Sequence, residues 1–290
     1  MRQLGGKTMS SKCANQVDSV SAYLAVVKDE IKKWDDEIGL DNDYPEEDKP
    51  TMKVLFRGHG NKEWRLWPSL FRCLPSIDSV IYSHSPLYNS YYGQEEYLIK
   101  EAMRLFPDMF KNAENNVGLM AICQHYAIPT RLLDVTANAL VGLYFAVSAE
   151  KDKDGVVYLF RVNAEENERA LSASHTEKIT FDRYHEQGKD SISWDRPLLV
   201  FPSHKTERQK AQDGCFFLFE NKVNPLSVIE FNKSDFRRIE ISAGMKDKLK
   251  NELENICNIH KGTLFPESLD SYVEKIKAEA EKRIKANHAS

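Results

Sequence analysis

The order in which two hydrophobic periodicities appear along the chain limits its fold more than any single motif. Apolar residues recur at helical spacing in the first half, at Val20, Tyr23, Leu24, Val27, Ile31 and Trp34. The same spacing returns at Leu98, Ala102 and Leu105 within Glu95–Phe106, in Val117–Tyr126, and in the strongly apolar run that Asn138 opens and Val147 closes. Runs of strand length dominate the second half: Val156–Val162, Leu198–Phe201, Cys215–Glu220, Leu226–Phe231 and Arg237–Ile241. Met52–Arg57 and Thr130–Thr136 are two earlier strand candidates. No regular β-α-β alternation links these segments, so the pattern argues for α+β rather than a doubly wound sheet. Asp18 or Ser19 caps the first helix and Asn138 the apolar one. Pro129 stops the helix before it, because a residue preceding proline avoids helical angles. Residues 163–195 are polar and poorly periodic and read as a long loop with one short helix at most. Gly244–Ile256 and a charged segment marked by Leu269, Val273, Ile276 and Ile284 are the last helices expected.

Composition narrows the class. With 40 basic and 44 acidic residues the net charge is −4, and 41% of the 290 residues are hydrophobic, as in an ordinary globular protein. No global attraction to nucleic acid or to an anionic membrane follows. No apolar run is long enough for a transmembrane helix, and the polar start lacks the apolar core of a secretory signal. Five cysteines without a CxxC pair suggest free thiols in a reducing cytoplasm. Scattered histidines without HExxH make a metal site an unfavoured reading. Residues 1–17 are polar and small and are expected to be disordered, with 18–290 one domain ending in a C-terminal helix. Gly6-Lys7-Thr8 has the end of a phosphate loop but neither the earlier glycine nor a preceding strand. Asp35–Asp48 holds eight acids and no base, the composition of a solvated loop.

Two segments concentrate polar groups beside apolar ones. In Val54-Leu55-Phe56-Arg57-Gly58-His59-Gly60-Asn61 an arginine ends an apolar strand next to two glycines. That arrangement can aim a guanidinium into a cleft while the glycines let a ligand approach the backbone. The guanidinium fork grips phosphate or carboxylate through two bonds. In the second segment Gln124, His125, Arg131, Asp134, Thr136 and Asn138 fall among apolar or small residues, so they satisfy one another or are used. Arg131 and Asp134 are expected to be a buried pair. Arg57, His125, Arg131 and Thr136 are expected to line one cleft, with Arg57 serving the ligand rather than the fold. Cys123 and His125, two apart on a helix, do not face each other, which disfavours a cysteine–histidine nucleophile. Neither a G-x-S-x-G elbow nor a full dinucleotide fingerprint is present.

These residues closely resemble the FRG domain family, named for its Phe-Arg-Gly triplet. The match runs through Phe56-Arg57-Gly58, Trp64, Pro68-Ser69-Leu70, Arg72, Gln124-His125-Tyr126, Pro129-Thr130-Arg131-Leu132-Leu133-Asp134, Thr136, Asn138 and Leu143-Tyr144-Phe145-Ala146. It continues at Arg208, Gln212, Gly214 and Phe216 and ends at Leu264-Phe265-Pro266 and Leu269-Asp270. The resemblance implies a distant similarity to the ADP-ribosyltransferase fold, a mixed split sheet with flanking helices around an NAD cleft, and a bacterial or phage defence or toxin setting. It implies catalytic roles for Arg57 on a first strand, Thr136 on a second, and Gln212 where such transferases carry a glutamate. Glu220 and Glu230 are candidate replacements for that glutamate. Gly58, His59, Gln124, His125, Arg131, Asp134 and Asn138 become candidate ligand residues. The implied activity is ADP-ribosyl transfer to a macromolecular target or NAD hydrolysis, with NAD as substrate. The alternative is a non-catalytic module that senses a nucleotide or nucleic acid.

Overall fold

A computed structural model describes residues 17–38, 51–73, 91–173, 196–202, 205–219, 231 and 236–266. Its strands are β1 (Met52–His59), β2 (Leu132–Thr136), β3 (Gly155–Asn163), β4 (Leu198–Val200), β5 (Gly214–Leu218) and β6 (Phe236–Ile241). They form a six-stranded sheet in the order β4-β5-β2-β1-β3-β6. The α+β class holds. The mixed sheet does not, because every ladder among the described residues is antiparallel. The reason is topological. β2 and β3 run parallel to each other and are joined through a helix, but β1 is inserted between them and pairs antiparallel with both.

The helices are α1 (Val20–Ile38), α2 (Ser69–Cys73), α3 (Tyr91–Leu105), α4 (Asn116–His125), α5 (Ala139–Val147), α6 (Ala164–Ala173), α7 (Glu207–Ala211), α8 (Lys246–Asn255) and α9 (Lys261–Leu264). Asn138 caps α5 as expected, its side chain accepting from the Leu140 and Val141 amides. Within the stretch expected to be a long loop with one short helix, α6 forms because Asn163, the last residue of β3, accepts from the Glu165 and Glu166 amides. Two acids in its first turn then suit the helix dipole. Val17, placed in the disordered segment by its sequence, is buried in the core. The strand expected at Leu226–Phe231, apart from Phe231 itself, and the helix expected beyond Leu269 lie outside the described residues.

Side chains alternate across the sheet and build three cores. One face is continuous: Leu55, Leu133, Val135, Tyr158, Phe160, Leu199 and Phe217 pack together with Leu70 and Phe71. The other face is divided. Phe56, Val157, Leu159 and Ile239 pack under α1, α5 and α8 through Tyr23, Trp34, Leu143, Leu249 and Leu253. Leu132, Val200, Phe216 and Leu218 pack under α3 and α4 through Ile99, Met120 and Cys123. The boundary between these two cores falls where β1 meets β2.

Helix α5 crosses β1 at very short range. A Cβ on Gly58 would lie 2.0 Å from the Gly142 carbonyl oxygen and 2.6 Å from the Ala146 nitrogen, and one on Gly142 would lie 2.9 Å from the Phe56 Cβ. The glycine of the Phe-Arg-Gly triplet therefore admits a helix backbone. Lys246 of α8 reinforces the crossing. Its buried Nζ donates to the carbonyls of Gly60 (2.6 Å), Ala149 (2.9 Å) and Glu150 (2.8 Å), tying the turn after β1 to the end of α5. Gly58→Ala should consequently destabilise the protein by about 1–3 kcal/mol or more, since the added methyl meets backbone that cannot yield. Gly118→Ala, whose Cβ meets nothing closer than 3.6 Å in α4, should be neutral or slightly stabilising. Urea denaturation of both variants checks the contrast, and equal midpoints would contradict it.

Candidate functional site

β1 and β2 are neighbours in the sheet yet share a single residue pair, Phe56 with Thr136. Beyond that pair the strands part, and residues 57–59 do not ladder with 133–135. Backbone groups left in such a gap need other partners. Arg57 supplies one: its Nη1 donates to the Asp134 carbonyl oxygen at 2.5 Å, across the gap. Its Nε donates to His59 Nε2 at 2.9 Å, as two residues apart on one face of a strand allow. The Asp134 carboxylate is 3.8 Å from the same guanidinium, with the Arg57 side chain 16% exposed and that of Asp134 54%. Burial lowers Arg57 to about 10, so it stays charged at neutral pH.

His59 is buried behind Arg57 and packs edge-on against Tyr158 and Trp64. Burial, together with the Arg57 charge, pushes it down to about 3. It is therefore a neutral acceptor that holds the arginine. Gln124 fixes the other side. Its Nε2 donates to the Asp134 carboxylate (2.8 Å) while its Oε1 accepts from the Thr130 hydroxyl (2.7 Å) and from Ser69 (3.4 Å). Most of the polar cluster on the second segment is thus satisfied internally, and Asp134 is left as its exposed end.

The gap opens into a cleft of about 190 Å³ lined by Phe56, Arg57, Gly58, Asp134, Val135, Thr136, Phe145, Arg208, Gln209, Gln212, Gly214, Cys215 and Phe216. It lies at the boundary between the two divided cores, under α7. Arg57, Gly58, Asp134, Thr136 and Gln212 of the expected site converge here. His125 and Arg131 are not among the lining residues, and Asn138 is committed to capping α5. Thr136 donates its hydroxyl hydrogen to the Gln212 carbonyl (2.7 Å) and accepts from the Asn138 amide (3.0 Å), and the Gln212 side chain donates to the Leu264 carbonyl (3.1 Å). Glu220 and Glu230 lie outside the described residues. Arg208 lines the cleft although the sequence offers it only through the family resemblance. The signal that could have found it is Thr206 followed by Gln209, a capping box that announces α7 and puts residue 208 in its first turn. Burial pushes the Cys123 and Cys215 thiols up to about 12, so neither is a ready nucleophile. Among the described residues no three His, Cys, Asp or Glu side chains come together to hold a metal ion, and no helix is long and apolar enough to cross a membrane.

The expected pairing of Arg131 with Asp134 does not form. Arg131 faces Glu95 of α3 instead, Nε to Oε2 at 3.1 Å, with both side chains buried, and its backbone amide donates to Glu95 Oε1 at 2.9 Å. Residues three apart along an extended chain point to opposite sides, so Asp134 was never on the face of Arg131. Burial raises the Glu95 carboxyl, and Arg131 pulls it back down.

The FRG domain family model matches residues 52–155, a little over a third of the chain. The matched segment holds β1, β2, α5 and the gap between the strands, whereas Arg208, Gln212 and Phe265 lie beyond it. No curated protein and no solved structure matches the chain.

Removing one partner of a buried ion pair leaves an uncompensated charge. Glu95→Ala should therefore cost about 3–5 kcal/mol, while Asp134→Ala at its exposed position should cost about 1 kcal/mol or less. Chemical denaturation of the two variants gives the comparison, and the reverse order would refute the assignment of Glu95 as the partner of Arg131.

Proposed function

We propose that the chain is an NAD-utilising protein whose cleft holds the dinucleotide at the gap between β1 and β2. The observation that carries this reading is the convergence of Arg57, Asp134, Gln212 and Arg208 on one recess. At about 190 Å³ the recess is smaller than a typical ligand pocket, so a dinucleotide would bury one part of itself and lie over the rim with the rest. Guanidinium groups suit its pyrophosphate, and a carboxylate suits the positive charge that develops on the ribose.

In the reaction proposed, the nicotinamide–ribose bond breaks and its electron pair leaves with nicotinamide. The ribose carbon passes through an oxocarbenium-like state and is captured by water or by a nucleophile of a macromolecular target, which loses a proton. Such chemistry depends on positioning and charge more than on a protein nucleophile. Asp134 is the carboxylate that lines the cleft, and Gln124 with Arg57 fixes its direction. Water as acceptor makes the protein an NAD glycohydrolase; a macromolecule makes it an ADP-ribosyltransferase. Either would suit the defence or toxin setting that the resemblance implies, by draining NAD or by marking a target.

One observation favours a second reading, a non-catalytic sensor of a nucleotide or nucleic acid. The Gln212 amide is bonded to the Leu264 carbonyl and so serves packing, although the resemblance assigns this residue the role of the ADP-ribosyltransferase glutamate. Incubation with NAD, alone and with cell extract, separates the two readings. The parent is expected to release nicotinamide, and Asp134→Asn to slow that release by about 10²-fold or more. Binding of NAD without release would support the sensor, and neither binding nor release would overturn both.

A further inference from the structure

Helix α7 carries a cation whose surroundings differ from those of Arg57. Its first turn is locked by a reciprocal cap: Thr206 Oγ1 accepts from the Gln209 amide (3.2 Å), and Gln209 Oε1 accepts from the Thr206 amide (2.9 Å). Arg208 projects from this turn, half-buried, into the lining of the cleft. Its guanidinium lies 4.7 Å from the centre of the Phe265 ring. Phe265 in turn meets Phe145, another lining residue, edge-on at 6.3 Å. The bond from Gln212 to the Leu264 carbonyl ties α7 to α9 and so keeps Phe265 beneath the arginine.

A guanidinium stacked on a ring keeps its in-plane donors available at its edge, which is the geometry that recognises phosphate. Among the described residues no carboxylate lies within ion-pair distance of Arg208, whereas Arg57, Arg131, Arg161 and Arg237 each have one. Arg57 has its Nε and Nη1 committed to His59 and to the Asp134 carbonyl. An anion entering the cleft therefore finds its free charge on α7 and a repelling carboxylate on β2.

We infer that Arg208 is the anion anchor of the cleft: it holds the phosphate or pyrophosphate group of the ligand, and Asp134 on β2 faces the uncharged sugar. The inference rests on the reading of the cleft as a nucleotide site and adds to it the direction in which the ligand lies. Arg57 keeps the cleft open and shaped; Arg208 binds the charge.

Calorimetric titration of the full chain with ADP-ribose, inorganic pyrophosphate and adenosine tests it, using Arg208→Met and Arg208→Lys with a melting curve for each. Methionine keeps an apolar stem over Phe265 and removes the charge; lysine keeps the charge and removes the fork. Arg208→Met should weaken ADP-ribose and pyrophosphate by about 10- to 100-fold and leave adenosine unchanged, and Arg208→Lys should fall between. Parent binding to pyrophosphate should also weaken with salt, more steeply than that of Arg208→Met. If ADP-ribose binds parent and Arg208→Met alike, the anchor is refuted while the nucleotide reading survives. If pyrophosphate binding is lost in Arg208→Met but the parent takes neither ADP-ribose nor NAD, the anchor stands and the nucleotide reading falls. A parent that binds none of the three overturns both. Should Arg208→Met fail to fold, undiminished pyrophosphate affinity in Arg208→Lys would refute the anchor, and a loss would sustain it.

Discussion

A sheet whose two halves share one residue pair needs something else to hold them in register, and in this protein that is largely Arg57. Phe56 and Thr136 are the only Cα partners between β1 and β2, whereas β1 pairs with β3 along all eight of its residues and β2 with β5 along five. The guanidinium of Arg57 reaches over the gap to the Asp134 carbonyl, which would otherwise be a backbone acceptor without a ladder partner. Losing a hydrogen bond to a charged donor costs about 1.5–3 kcal/mol. The cleft exists because the strands part there, and it keeps its shape because Arg57 spans them. One residue thus links fold and site, which makes a purely ligand-binding role for Arg57 too narrow.

Around that bridge the protein separates charge by burial. His59 stays neutral, and so can accept from the Arg57 Nε without competing for its positive charge. Lys246 keeps a buried ammonium by donating to three carbonyls, and Glu95 with Arg131 closes a second buried site on the other half of the sheet. The charges left facing the cleft are few: the edge of Arg57, the exposed carboxylate of Asp134 and the stacked guanidinium of Arg208. The sulfur of Cys215 also lies there but is held as a thiol.

Much of this was legible in the sequence, and the failures have physical causes. The strands β1, β3, β5 and β6 follow from short apolar runs, and α5 from an apolar segment with asparagine at its start. Helix α6 was less visible because its residues are mostly polar or small and its start depends on a cap, Asn163, that is also the end of a strand. Gly58 stands out in the sequence, but its reason does not. A glycine beside an arginine suggests a ligand, whereas the close approach comes from α5, about 80 residues further on. Asp134 attracts attention as the partner of Arg131 because it is near in sequence, while Glu95, which lies 36 residues upstream, is the one that folding brings to it. Of the site, the residues on β1 and β2 could be named from motifs. Arg208 and Phe265 face each other only because α7 and α9 pack together, a long-range contact that no local pattern encodes.

Hydrogen exchange on Arg57→Met, compared with the parent under identical conditions, tests the bridging role of Arg57 most directly. Loss of the guanidinium should speed exchange in residues 132–136 and in the turn at 58–61, because the seam loosens there. The β3–β6 ladder and helices α1 and α8 should exchange as before, since none of their bonds passes through Arg57. An increase spread evenly over the whole sheet, or no increase at the seam, would contradict the claim that Arg57 joins the two halves and shapes the cleft between them.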